Sequence, residues 1–376
     1  MERLENVIQR YAWGHQTAIP ELLGIEPDGL PHAELWLGAH PSAPSKLSSG
    51  LTLDAHIAQA PEKLLGAAST KHFGPRLPFL FKVLAAGQPL SLQAHPTLAQ
   101  AKEGFAREDA AGLARTAANR NYKDPNHKPE IICALTPFRA LCGFRKLSDS
   151  VRLFEGFRLD VSLLKKGLKG YFEYAMTLGR EAQGELVDHL IAGAEEKVSG
   201  FEAESELALK LSEIYPRDIG IVGALLLNLV ELKPGEALYL DAGNLHAYLQ
   251  GTGVELMANS DNVLRGGLTP KHVDVPQLLS VLDFADGPAK VLKATGAEEA
   301  IYETPAPDFR LSRVELKNRS VTLPARGAQV LLVVEGLVTV KGVALRRGES
   351  VFIGADEGDI PLSGNGVIFR ATAGVS

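Results

Sequence analysis

Two residues able to hold a metal ion, Gln93 and His95, stand two positions apart in the run PLSLQAHP. On a strand, side chains at i and i+2 leave on the same face, so both project to one side together with Ser91, while Leu92 and Ala94 project to the other. Glu130 opens the apolar run EIICAL behind the polar segment KDPNHKP, and His246 follows a Gly-containing turn in LDAGNLHAY, with Tyr248 on the same face. Two imidazoles, one carboxylate and one amide oxygen suit a borderline divalent ion such as Zn²⁺. Each residue alone has an ordinary alternative. A strand histidine is more often a hydrogen-bonded packing residue, and a glutamate after proline can be a solvated edge. Chain spacing does not by itself bring three distant segments together.

The elements that must position these groups are mostly short strands. In LPFLFKVL, Phe79, Phe81 and Val83 share one face, and Leu80, Lys82 and Leu84 the other. Residues 52 to 66 read as helix with Pro61 opening a second short helix, and TLAQAKEGFARED after His95 is helical, whereas 110 to 126 is polar and loop-like. From about 146 to 228 the i, i+3, i+4 spacing of GELVDHLIAGAEEKV and ESELALKLSEIY indicates a helical insertion. The apolar stretch Ile219 to Val230 reads as a buried helix. Strand patterns return at Lys233 and continue to the end, apart from the helical VPQLLSVLDF. GEALYLDAGNLHAY is similar to the second sequence motif of cupins, and GESVFIGADEGD repeats its opening without the histidine. The expected fold is mainly β: two cupin-like (jelly-roll) barrels with an inserted helical domain. The divisions are 1–145 with 229–296 for the metal-bearing barrel, 146–228 for the helices, and 297–376 for a second barrel without metal.

The totals narrow the function classes. A chain of 376 residues divides into more than one core. Its net charge of -6 argues against a general nucleic-acid binder, but leaves room for a small anionic substrate held by a local cluster of Lys and Arg. No apolar run is long enough to span a bilayer, so no membrane partner is expected. The charged segment MERLENVIQRYAWG lacks the apolar centre of a signal peptide, and two cysteines, Cys133 and Cys142, suggest no disulfide framework. The expectation is a soluble cytoplasmic protein.

The strings YAWG, AELWLGAHP, FLFKVL, SLQAHP, NYKDPNHKPE, LDAGNLHAYLQG and ELMANSDNVLRGGLTPK resemble those of type I mannose-6-phosphate isomerases, in the family's order and over nearly all of residues 1 to 285. The resemblance implies zinc, one ion per chain, on Gln93, His95, Glu130 and His246. It also implies an aldose–ketose isomerase acting on D-mannose 6-phosphate and D-fructose 6-phosphate. Leu264 and Gly266 stand where Val and Ala are common in the family, and the section after residue 297 matches only in pattern.

Such an isomerisation moves a proton between C1 and C2 through an enediol or enediolate, whose charge a divalent metal stabilises as a Lewis acid. His127 and Lys128 are the candidate proton carriers, and the residues do not choose between them. Arg265 matches the family's active-site arginine and can grip phosphate bidentately or steady an oxyanion. Asp261, four residues earlier, can orient it; a surface ion pair is the commoner fate of that spacing. Lys82, on an apolar strand, needs a partner or a wet cavity, and with Ser91 is a candidate phosphate contact. Tyr248 and Glu255 are candidate partners of sugar hydroxyls. Trp13 and Trp36 are expected to pack barrel walls, and Lys271 to be a solvated helix-end residue. A monomer is expected, with a homodimer as the alternative. The rival functions are another metal-dependent cupin enzyme, such as an iron dioxygenase, and a non-catalytic sugar-binding cupin.

Overall fold

The computed structural model describes residues 1–375. Its strands gather into two sheet systems. The first runs, in hydrogen-bonded order, through Val291–Lys293, Glu236–Leu240, Glu130–Ala134, His246–Ala258, Phe79–Ala86, Glu34–Leu37 and Val7–Gln9. Gln93–Ala94, Phe138–Phe144, Leu227–Leu232 and Leu264–Arg265 join it, directly or in turn, through His246–Ala258.

That long strand closes the unit. Its first part pairs with Gln93 and with Arg139–Cys142, while Gly251–Ala258 lies between Phe79–Ala86 and Glu130–Ala134. The register shifts between Tyr248 and Gln250. Gly251 follows with φ 122, where a Cβ would stand 2.6 Å from the Pro137 carbonyl oxygen. Only glycine fits so close an approach at that angle, and a bulge there turns the strand from one face of the barrel to the other.

The pleat then sorts side chains. From Phe79–Ala86, Phe79, Phe81, Val83 and Ala85 face outward into an apolar layer shared with Tyr302, Phe309, Leu311, Val330, Leu332, Phe352 and Phe369 of the second unit. Leu84 and Ala86 face inward, with Ile132, Phe138, Leu238 and Tyr248. Burying each such large side chain contributes about 1.5–3 kcal/mol, so the layer welds the two units together. The second sheet has the order Ala300–Tyr302, Arg310–Leu323, Ile360–Thr372, Gln329–Val340, Ser350–Ile353, Glu2–Glu5, Lys46–Leu47, and encloses its own apolar interior of Val, Leu and Ile.

Two differences from the sequence expectations have clear causes. Glu2–Glu5 pairs with Ser350–Ile353, so the first strand of the chain serves the second sheet rather than the metal-bearing one. The run Ile219 to Val230 is not one helix: helix Gly220–Leu225 gives way to strand Leu227–Leu232. The Asn228 amide donates to the carbonyls of Cys142, Gly143 and Gly287, holding the chain against Phe138–Phe144 in extended form. The helices between Leu147 and Leu225 bury the outer surface of the first barrel at Leu92, Ala94, Leu141, Leu245, Ala247 and Leu249. Among the described residues no helix is long and apolar enough to cross a membrane.

Candidate metal centre

Adjacent ladder positions bring distant chain segments into one row. His246 is the strand partner of Gln93 on one side and Cys142 on the other, and Gln93 pairs in turn with Arg265. Glu130 pairs with Met257 and Leu240, at the end of the fully buried strand EIICA. His95, Glu130 and His246 thereby converge, with one ligand atom of each lying within 4.8 Å of the others.

Their hydrogen bonds show what these atoms lack. His95 Nδ1 donates to the Asn262 carbonyl at 2.7 Å, and His246 Nδ1 donates to the Asn244 carbonyl at 3.0 Å. Each ring is thereby set with its Nε2 lone pair directed inward. His246 Nε2 stands 2.9 Å from Glu130 Oε1, and His95 Nε2 3.5 Å from the same oxygen. The distances are those of ion pairs. Even so, His246 Nε2 and both Glu130 oxygens have no hydrogen bond of proper geometry. Buried lone pairs facing each other are costly unless a cation lies among them. Two imidazole nitrogens and a carboxylate fit zinc.

Electrostatics agree. Burial works against ionising Glu130, but the adjacent Lys128 ammonium prevails and holds the carboxyl well below its ordinary range. Burial, helped by Lys128, pushes His95 down to about 4, so its imidazole is neutral and able to ligate at neutral pH. Lys128 Nζ lies 3.1 Å from Glu130 Oε2 and 3.4 Å from His95 Nε2.

The cluster opens on a cavity of about 510 Å³. Of the residues singled out in the sequence, Lys82, Ser91, Gln93, Lys128, Glu130, Tyr248, Glu255, Asp261 and Arg265 line it. His95 and His246 are buried completely beside Glu130. His127 is a correction. Its Nε2 lies 2.8 Å from Asp308 Oδ2 and it lines a different hollow. The structure sets its ring outside this cavity.

Lys82 is a second correction. Strand pairing sets it opposite Glu255, and its Nζ lies 2.6 Å from Glu255 Oε2 and 3.2 Å from Glu34 Oε1. Burial opposes its charge, but Glu255 and Glu34 prevail and hold the ammonium above its usual range. One cation is thereby matched to two carboxyl groups. Burial raises the Glu255 carboxyl in spite of Lys82. The two direct carboxylate contacts keep Lys82 charged. The Tyr248 hydroxyl donates to Glu255 Oε1 at 2.8 Å and is therefore already engaged.

The walls hold more than the sequence reading assigned. Trp13 and Trp36 both face the cavity, with Tyr11 stacked on Trp13 at 5.7 Å, and the Trp36 indole donating to Glu34 at 2.7 Å. Lys271, expected as a solvated residue, lines the cavity with Lys123. Burial and the neighbouring Arg265 and Lys123 lower its pKa, which marks three cations in one neighbourhood. The turn that presents Arg265 and Lys271 is tied to the helical unit. The Asp218 carboxylate accepts the N–H groups of Gly220, Leu268 and Thr269, and Gly267, at φ 116, packs so closely that a Cβ would lie 2.5 Å from Gly220 Cα. Lys123 and Lys271 carried no recognisable sequence signal beyond their place in the quoted strings. Cys142 is buried against Asn244, with its thiol pushed up to about 11 by burial.

A barrel with a buried His–Glu–His cluster at the floor of a polar cavity defines a metal-binding cupin. Comparison with known proteins narrows this. Residues 1–147 match the model of the phosphomannose isomerase type I catalytic domain. The chain is 42% identical to mannose-6-phosphate isomerase of Escherichia coli strain K12, over 98% of this chain and 99% of that one. Against the Homo sapiens mannose-6-phosphate isomerase it is 35% identical over 94% and 93%. A solved zinc-bound mannose 6-phosphate isomerase superposes with a TM-score of 0.92 at 40% identity, covering 99% of each chain. A lysine-to-alanine variant of phosphomannose isomerase from Salmonella typhimurium superposes with a TM-score of 0.93, also at 40% identity and 99% coverage of each. This chain belongs to the type I phosphomannose isomerase family.

Proposed function

We propose that this protein is a zinc-dependent isomerase interconverting D-mannose 6-phosphate and D-fructose 6-phosphate by proton transfer between C1 and C2. One observation supports the reading above others. The same cavity has a fully buried, cation-demanding trio at its floor and Arg265, Lys123 and Lys271 at its more exposed parts. A sugar phosphate has that polarity: an oxygen-rich reacting end and a dianionic tail.

The metal is assigned to His95, Glu130 and His246, with Gln93, their strand neighbour, as the fourth ligand. When bound, zinc supplies Lewis-acid polarisation of the sugar's oxygens, a contribution on the order of several kcal/mol. Lys128, whose ammonium lies directly at the cluster, moves the proton between the two carbons. Arg265 faces the phosphate and the charge that develops in the enediolate, as a guanidinium can serve both by paired N–H donors. Asp261 and Ser91 orient polar groups of the substrate from the wall. Glu255, fixed by Lys82 and Tyr248, presents its remaining surface to the sugar hydroxyls. The wall of Tyr11, Trp13 and Trp36 excludes water from the reacting carbons.

The two unpaired thiols fit a reducing compartment such as the cytoplasm. A coupled assay of purified protein with mannose 6-phosphate tests the main reading. Turnover must vanish on chelation and return with zinc. Turnover undiminished after complete metal removal, or none with zinc restored, would overturn it.

A further inference from the structure

Asn262 is completely buried, and its carbonyl and side chain bond two different parts of the candidate site. Its backbone carbonyl accepts the Nδ1 proton of His95 at 2.7 Å. Its side-chain Oδ1 accepts the N–H groups of Lys123, at 2.7 Å, and Asp124, at 3.2 Å. Its Nδ2 donates to the carbonyls of Asp124, at 2.7 Å, and Asn126, at 2.8 Å. One amide thus replaces a whole strand's worth of pairing for the irregular segment 123–126, which lies in no helix or strand. Lys123 lines the cavity from that segment, and Lys128 follows a few residues on.

We infer that Asn262 is a positioning residue. Its side chain sets the loop that aims Lys123 at the substrate's phosphate, while its carbonyl holds the orientation of a metal-ligand imidazole. An amide is the side chain this task requires, because it supplies two donors and a two-lone-pair acceptor in one plane. Aspartate has the same shape but would turn acceptors toward the carbonyls of Asp124 and Asn126. Serine would leave both amide N–H groups and both carbonyls short of partners.

The inference rests on the reading that Lys123 belongs to the phosphate end of the cavity, and the test separates the two. Asn262→Asp, Asn262→Ser, Lys123→Met and the Asn262→Asp/Lys123→Met pair are compared on zinc-loaded protein, by steady-state kinetics and by calorimetric binding of inorganic phosphate. Both Asn262 variants are expected to raise KM roughly tenfold while changing kcat by less than about threefold. Phosphate binding should weaken in parallel. The double variant should be no worse than Lys123→Met alone, because both act through one contact. If Lys123→Met raises KM and a folded Asn262 variant does not, or if the two effects simply add, the positioning role is overturned. An unchanged KM in Lys123→Met would instead remove the phosphate reading, and this inference with it. Should neither Asn262 variant fold, amide exchange on the wild-type protein serves. Phosphate must slow exchange at Lys123 and Asp124, and identical exchange with and without saturating phosphate overturns the coupling.

Discussion

Lys82 and Glu255 stand opposite each other on neighbouring strands, and their charged atoms meet at 2.6 Å inside the barrel, with Glu34 closing on the same ammonium from the next strand. All three side chains are buried. The ion cluster shapes one wall of the cavity without offering it a free cation. Removing the central charge should therefore harm the fold before it harms binding. Lys82→Met is expected to lower stability by about 3–5 kcal/mol, the usual result of leaving a buried charge without its partner. Chemical denaturation of the metal-loaded protein checks this. A loss below about 1 kcal/mol would mean that water already screens the cluster.

Glu130→Gln keeps the shape of the metal site but removes the charge that the trio's imidazoles face. Zinc content after dialysis should fall from one ion per chain to a small fraction, with turnover falling in proportion. Elemental analysis measures the first directly. Full zinc retention would place the ion elsewhere.

Arg265→Ala should leave zinc in place, since Arg265 meets the cluster only through its backbone pairing with Gln93, and should cut turnover by roughly 10²–10³, the scale of losing one preorganised charge-stabilising donor. Lys271→Met, touching only the phosphate end, should raise KM with kcat nearly unchanged. Parallel losses of kcat in both variants would contradict this division of labour.

Acidity should weaken the metal-free protein through His95. Its imidazole titrates near 6.5 in an unfolded chain but is pushed down to about 4 by burial in the fold. Between those values the unfolded chain holds more protons, so stability is fully present above about pH 6.5 and is lost as pH falls toward 4. Denaturation midpoints of metal-free protein at neutral and mildly acid pH should show this decline. His95→Gln should flatten it.

Cys133 and Cys142 are both buried, and burial pushes each thiol up to about 11. Almost no thiolate exists at neutral pH, and thiolate is the reactive form. A disulfide reagent should label neither within minutes under native conditions and both at once in denaturant. Fast native labelling would show that the barrel opens.

Much of this site was legible before any coordinates. The alternation of PLSLQAHP placed Gln93 and His95 on one face, and the strings around Glu130 and His246 supplied the rest of the donor set. The strand FLFKVL was readable too, including the oddity of Lys82. What failed was the assignment of partners. Lys82 looked like a phosphate contact because its neighbours in sequence are apolar; its neighbours in space are Glu34 and Glu255. His127 looked interchangeable with Lys128, yet Asp308, from the second sheet system, takes it out of the cavity. Ile219 to Val230 is apolar at both periods, and the hydrogen bonds of Asn228 decided where helix ends.

By itself, the order of residues determined which side chains could ligate a metal, which face of each strand they leave from, and where the helical segment interrupts the strands. These are local matters, governed by backbone periodicity over a few residues. The tertiary structure alone decided which charges neutralise each other, which lone pairs are left to want a cation, and which cations line the cavity. Those outcomes depend on distances of a few ångströms between residues far apart in the chain, as between Glu34 and Glu255 or His95 and Asn262. Coulomb and hydrogen-bond energies act through space, and no spacing along the chain encodes them.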